Sequence, residues 1–373
     1  MMDVVVDYGK DDFSHSPFIL FYEITRACDL VCRHCRASAA PQPHPKQLAT
    51  DQSVALFDDL LRFPKPPMLV ISGGDPMKRD DLFDLIRYGT DKGLQIAITP
   101  SSTPILTRAA VSQLKHAGTR RLAMSIDGAD EATHDGLRGV PGSFRQTLEI
   151  MAHAREVGLP LQVNTTVTLR NHHQIDAMAE LLASQGIVLW SVFFLVPVGR
   201  GTAEKRIPGQ LYEDVFERLW ANARVQPFGI KTTEAHHYRR FVLQRRGDPQ
   251  ADPQGHGGPE RTQRAPLGVN DGKGVMFVSH VGEVYPSGFM PLLCGRFPRD
   301  SVVDIYQNSP VFHSLRDPGR FHGKCGVCEF RSVCGGSRAR AYAVTGDPLE
   351  SEPDCVYIPA AWQQDPATEE VGV

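Results

Sequence analysis

The chain contains no long apolar run: nowhere in its 373 residues do 18 uninterrupted apolar residues stand together, so no segment has the length of a membrane-spanning helix. Charge of neither sign is in excess. With 40 Lys and Arg against 43 Asp and Glu, a net charge of −3 and a pI near 6.5, no general attraction to nucleic acid or to an acidic membrane surface is expected. The opening MMDVVVDYGKDDFSHS lacks the basic segment and apolar run of a secretory signal, so a cytoplasmic protein is expected. Cysteine is sparse, eight in all, and bunched at metal-ligand spacings, which argues for clusters in a reducing compartment over a disulfide framework. Apolar residues, by contrast, are plentiful. A hydrophobic content of 41% suffices for a large core, and the length exceeds that of one typical domain, so two domains are expected.

Three of the cysteines, Cys28, Cys32 and Cys35, stand in TRACDLVCRHC, just after the apolar run FILFYEI. The C-x3-C-x2-C spacing offers three thiolates to a four-iron cluster and leaves one iron open to bind a small molecule. A plainer reading puts the same positions, at i, i+4 and i+7, on one face of a helix as small buried apolar residues. Asp29, Arg33, His34 and Arg36 among them make a poor core face, which favours the cluster. A second segment, MLVIS (Met68 to Ser72), reads as a buried strand, and Gly73-Gly74 after it let backbone come close to a ligand where a Cβ would collide. The alternative there is an ordinary Gly-Gly-Asp-Pro turn.

Strands are expected near 18–24, 68–72, 94–98, 121–126, 161–168 and 188–196, with helices near 51–62, 80–92, 106–117, 143–157 and 172–185. Six β/α units imply a parallel sheet, whose functional groups gather at the carboxyl ends of its strands. After a helix near 209–225 the stretch Gln244 to Pro266 turns rich in Gly, Pro, Gln and charge and reads as a mobile loop or linker. His236, His237 and His256 read as solvated, with metal ligands as the alternative. The hairpin expected in GVMFVSHVGEVYPSGFMP turns at Val281-Gly282. It is followed by Cys294 alone and by Cys325-x2-Cys328-x5-Cys334-x20-Cys355, four thiols that suit a structural zinc or a fully ligated iron–sulfur cluster.

CDLVCRHC after one strand and SGGDP after the next resemble the radical S-adenosylmethionine superfamily, whose members carry a C-x3-C-x2-C loop and a GGEP-like motif. The resemblance implies an α/β partial (β/α)6 TIM-like barrel in which Cys28, Cys32 and Cys35 hold a [4Fe–4S] cluster. Its open iron chelates S-adenosylmethionine, and reductive cleavage yields a 5′-deoxyadenosyl radical that abstracts hydrogen from the substrate. Ser72, Gly73, Gly74 and Asp75 would hold the methionyl amine, with Asp75 in place of the usual glutamate; His34 stands where the family usually has an aromatic residue. Thr99, Ser125, Asp127, Asn164 and Thr166 at other strand ends are candidates for the ribose and methionyl carboxylate. Asp127 reads equally as the cap of the helix begun by ADEATH, and Asn164 as filling of the barrel interior. FLVPVGRG resembles the loop whose backbone lies against adenine, near Val198, with Arg200 either reaching a carboxylate or solvated.

The C-terminal cysteines resemble a SPASM/Twitch-type auxiliary domain, which implies one auxiliary [4Fe–4S] cluster on Cys325, Cys328, Cys334 and Cys355. Ser287 and Ser337 stand where such domains carry further cysteines, so a second auxiliary cluster is not expected, and Cys294 is left as a buried thiol or an occasional ligand. The expected organisation is an extension (1–17), the barrel (18–225), a connecting segment (226–268), the auxiliary domain (269–358) and a tail (359–373). CGVCEFRSVCGGSRARAYAVTGD looks closest to the branch of tetrapyrrole-modifying enzymes of haem and haem d1 formation, which act on propionate side chains. Arg331, Arg338 and Arg340 either meet such carboxylates or form a solvated, cluster-adjacent basic face. The implied protein is an oxidoreductase or lyase fed by a flavodoxin- or ferredoxin-like donor. The alternatives are a maturase of a ribosomally made peptide and, of another class, a non-catalytic iron–sulfur or zinc protein.

Overall fold

The computed structural model describes residues 12–246 and 268–363; the expected loop from 247 onward, His256 and the tail from 364 lie outside them. After a short helix α1 (Asp12–His15), parallel strands β1 (Ile19–Thr25), β2 (Met68–Gly73), β3 (Ile96–Ile98), β4 (Arg121–Ser125), β5 (Leu161–Val167), β6 (Leu189–Phe194) and β7 (Gly229–Thr233) follow in order. The crossovers are α2 (Thr50–Leu60), α3 (Leu82–Asp91), α4 (Arg108–His116), the pair α5 (Glu131–Arg138) and α6 (Ser143–Glu156), α7 (Ile175–Ser184) and α8 (Gly209–Ala223). The strand–helix alternation predicts this parallel sheet, and the family resemblance implies its partial TIM-like barrel. The six expected strands form close to their expected positions.

The strands read with period two. In β5 the residues Val163, Thr165 and Val167 are buried under the helices while Gln162, Asn164 and Thr166 alternate with them toward the interior. A full TIM barrel fills its interior with branched apolar side chains. Here the inward positions carry Ala97, Ala123, Ser72 and Ser125, which leave a cavity of about 370 Å³.

Two features depart from the expected layout. Gly229–Thr233, inside the segment expected to connect, is a strand paired with β6 in register Ser191↔Lys231. Its GIKTT carries only one large apolar residue, Ile230, which faces the core, so the segment has no apolar pattern of its own. The C-terminal hairpin of β8 (Val275–Val278) and β9 (Glu283–Tyr285), with β10 (Gly295–Arg296), joins the same sheet, because β8 pairs in parallel with β1. Gly282 turns the hairpin at φ +81°, where a Cβ would meet the Phe297 carbonyl at 2.0 Å. After β7 comes α9 (His237–Arg246), and after the hairpin α10 (Val302–Asn308), α11 (Pro310–Arg316), α12 (Gly323–Val327) and α13 (Arg338–Thr345). Among the described residues no helix is long and apolar enough to cross a membrane.

Candidate active site

The loop after β1 is held in shape by its own backbone. Cys28 N donates to Ala40 O at 2.8 Å and Ala40 N to Arg26 O at 3.1 Å, closing the segment between them. Arg200 clamps it from the loop after β6, its backbone N bonding Cys35 O at 3.0 Å and its guanidinium donating to Cys32 O at 2.9 Å and Ala39 O at 3.0 Å. Arg200 therefore braces the cysteine loop while lining the cavity, with its Nη2 buried and without a hydrogen-bond partner among the described residues. Cys28, Cys32 and Cys35 are unbridged thiols on the cavity wall. Cys28 Sγ lies 3.3 Å from Ser101 Oγ, and Arg138 Nη1 lies 3.8 Å from Cys32 Sγ. Burial raises the pKa of Cys28 and of Cys32, in the latter case against the pull of Arg138.

Gly73 and Gly74 line the cavity and have a further steric reason within the chain itself. A Cβ on Gly73 would stand 2.2 Å from Thr25 O, and one on Gly74 2.4 Å from Ala27 O. The glycines thus let the end of β2 lie against the backbone that leads into Cys28. Gly74 N donates to Thr25 O at 2.8 Å and Asp75 N to Ala27 O at 2.7 Å across this contact. Asp75 itself is buried, its carboxylate accepting from Thr103 Oγ1 at 2.8 Å, Met77 N at 3.1 Å and Ser101 N at 3.3 Å.

Ser72, Gly73, Gly74, Thr99, Ser125, Asn164 and Thr166 all line the cavity with the three cysteines. Asp75, Asp127 and Val198 do not. Asp127 is fully buried behind the wall: one oxygen accepts from Thr166 N at 2.7 Å and the other lies 2.5 Å from Arg138 Nη2 and 3.5 Å from His34 Nε2. Arg138 first, then His34 and His134, hold its carboxyl below the usual range against desolvation. The cap of α5 is Asp130, which accepts from Thr133 N at 2.8 Å, and not Asp127. Val198 precedes the turn that carries Arg200, its N–H bonded to Val196 O at 2.8 Å.

A second, smaller cavity of about 20 Å³ is ringed by Cys325, Cys328, Cys334 and Cys355 with His237, Arg240 and Gly336. Burial raises the thiols of Cys328, Cys334 and Cys355, the last to about 11. Cys294 is elsewhere, half-buried against the main core with its Sγ 3.4 Å from Leu292 O. Arg338 and Arg340 are fully buried rather than solvated. Arg340 pairs with Glu352 at 3.0 Å and Asp354 at 3.1 Å, and Arg338 donates to Glu350 O at 2.6 Å. They tie the C-terminal segment together, and only Arg331 is exposed. His236 and His237 are buried and uncharged, desolvation holding both well below the ordinary imidazole value, contrary to the solvated expectation. The run EAHHYRR gives no apolar pattern that would have revealed this.

The geometry now has a place among known proteins. The model of the Radical SAM superfamily matches residues 22–182, from β1 into α7. The chain belongs to this superfamily of enzymes, which cleave S-adenosylmethionine and generate a radical. More particularly, it is 39% identical over 353 residues to the AdoMet-dependent heme synthase of Methanosarcina barkeri, covering 93% of this chain and 98% of that protein. It is 38% identical over 355 residues to the AdoMet-dependent heme synthase of Nitratidesulfovibrio vulgaris, covering 94% and 95%. In fold it matches Streptococcus suis SuiB bound to S-adenosylmethionine with a TM-score of 0.69 at 17% identity, over 92% of this chain and 78% of that one.

The donor sets suit the cofactors of such enzymes, a [4Fe–4S] cluster and S-adenosylmethionine. Three unbridged thiols on one loop face a cavity whose wall continues through the end of β2, and four more surround a separate cavity.

Proposed function

We propose that the chain is a radical S-adenosylmethionine enzyme that abstracts hydrogen from a propionate side chain of a tetrapyrrole. The observation that carries this is the match, over nearly the full length of each, to relatives named as heme synthases. The cavity agrees with it, since Phe21, Phe193, Phe277 and Phe289 on its wall offer flat apolar surface to a planar ring.

In this reading Cys28, Cys32 and Cys35 hold the catalytic cluster and Cys325, Cys328, Cys334 and Cys355 an auxiliary one. Ser72, Gly73 and Gly74 offer carbonyls to the methionyl amine, and Thr99, Ser125 and Asn164 offer hydroxyl and amide groups to the rest of S-adenosylmethionine. Bound together, the cluster and S-adenosylmethionine supply the 5′-deoxyadenosyl radical. Asp127 positions Arg138 beside Cys32, and the Arg200 clamp keeps the loop from shifting. The barrel wall excludes water from the reacting atoms. Asp75 and Val198 support the neighbouring backbone and do not face the cavity. A flavodoxin- or ferredoxin-like protein is the expected electron donor.

The test is anaerobic turnover with coproporphyrin III or its iron complex deuterated in the propionate methylenes. Deuterium in 5′-deoxyadenosine is the expected result. Deoxyadenosine formed without deuterium, and at a rate indifferent to the tetrapyrrole, would remove this substrate and leave the peptide reading, which the 27% identity to a PqqA peptide cyclase keeps in view.

A further inference from the structure

Most charged groups on the cavity wall have partners. Arg36 pairs with Glu23 at 3.0 Å, Arg138 with Asp127 at 2.5 Å, and Arg200 is bound to the carbonyls of the cysteine loop. The acids on the wall, Glu234 and Asp271, are buried, desolvation raises both, and their carboxyl oxygens are already engaged, by Ser337 Oγ and by Ala339 N respectively. Besides Arg200, three cations on the wall have no carboxylate partner among the described residues: Arg121 at the start of β4, Lys231 in β7 and Arg239 in α9.

Their hydrogen bonding is sparse. Arg121 donates only to Gln162 Oε1, at 3.4 Å, and Arg239 to Val333 O at 3.1 Å, while Lys231 has no hydrogen bond or ion pair among the described residues. Arg121 and Arg239 are near enough to Lys231 that their repulsion, added to desolvation, lowers its pKa to about 8. Like charges gathered in a half-dry cavity cost stability, and a chain that keeps such an arrangement keeps it where a ligand supplies the missing charge. Ala97 and Ala123 beside Arg121 leave room for that ligand.

We infer that Arg121, Lys231 and Arg239 form an anion site inside the barrel that seats carboxylate groups of the substrate. This deepens the proposed function and rests on it for the identity of the substrate, although not for the sign of its charge. The site binds parts of the molecule away from the reacting carbon, so its contribution is to affinity and to choice of substrate. Guanidinium forks hold carboxylates in pairs of bonds, and the lysine adds a point charge between them.

The experiment is equilibrium titration of the iron-loaded protein with coproporphyrin III, with its uncharged tetramethyl ester, and with pyrene tetrasulfonate, a flat polyanion unrelated to tetrapyrroles. Wild type is compared with Arg121→Met, Lys231→Met, the double variant and Arg121→Lys, with iron content and thermal midpoint confirming that each is folded. Affinity for the free acid should fall about 10- to 100-fold in the double variant, with the ester unaffected and Arg121→Lys in between. The double variant should also melt at higher temperature, because uncompensated charge has been removed; a merely structural role for these residues would lower the midpoint. Binding of the acid within twofold of wild type by the double variant, or equal affinity of wild type for acid and ester, overturns the anion site and leaves the tetrapyrrole reading standing. Charge-dependent binding of the sulfonate without binding of either porphyrin leaves the anion site and removes the tetrapyrrole. Failure of wild type to bind any of the anions overturns the site.

Discussion

Asp127 shows what a single residue can and cannot reveal from sequence. Its place at the end of a strand was legible from MSIDG, but its direction was not, because that depends on Arg138 arriving from α5, a helix with no separate apolar signal. A buried carboxylate needs a countercharge, and Asp127–Arg138 at 2.5 Å supplies it. Asp127→Asn should lower unfolding free energy by about 3–5 kcal/mol, measured by urea titration, and adding Arg138→Met should recover most of that. His134, fully buried, accepts the Asp127 N–H at 3.1 Å through Nδ1, and burial lowers its pKa to about 4. Since the unfolded imidazole titrates near 6.5, the unfolded chain binds more protons between these values. Stability carried by neutral His134 is therefore complete above pH 6.5 and declines as pH falls toward 4, by about 3 kcal/mol in total. His134→Asn should flatten that part of the stability–pH curve; an unchanged curve would assign the acid sensitivity to other groups.

At the scale of elements, the six strands that carry a run of apolar residues were readable, and those without one were not. β7 has only Ile230 facing the core, and β8 was readable as half of a hairpin but not as the parallel neighbour of β1. Strand partners at a sequence separation of some 250 residues follow from burial of both faces and not from local pattern. The glycines after β2 were readable as a close approach, although what approaches is the chain's own backbone. Gly74→Ala would push a Cβ to 2.4 Å from Ala27 O and 2.7 Å from Arg26 O. Both atoms are backbone of the segment that leads into Cys28 and cannot yield cheaply, so the cysteine loop should be displaced. Reconstituted Gly74→Ala protein is expected to hold about four irons instead of about eight, with the auxiliary site intact. A full iron complement with normal S-adenosylmethionine cleavage would show that the loop accommodates the methyl group.

Across the whole molecule, a ten-stranded sheet runs from the C-terminal hairpin through the barrel to β7, and Arg340 ties the segment after α13 to the β6–β7 end. Its guanidinium bonds Glu352 and Asp354 of the C-terminal segment and reaches the carbonyls of Phe194 and Glu234 at the ends of β6 and β7. The cysteine spacings announced both cavities, because ligand spacing is a local property. The cation cluster that faces the first cavity was illegible, since Arg121, Lys231 and Arg239 come from three elements separated by up to 118 positions and meet only when the barrel curls.

The central claim, that two cysteine sets hold two clusters and the first drives radical chemistry, is tested most directly by one anaerobic comparison. Wild type and a Cys28/Cys32/Cys35→Ala triple variant are reconstituted with iron and sulfide, reduced with dithionite, given S-adenosylmethionine, and assayed for iron and 5′-deoxyadenosine. The account predicts about eight irons and deoxyadenosine for wild type, against about four irons and none for the variant. Deoxyadenosine formed equally by both proteins, or a fully iron-loaded wild type that forms none, would contradict it.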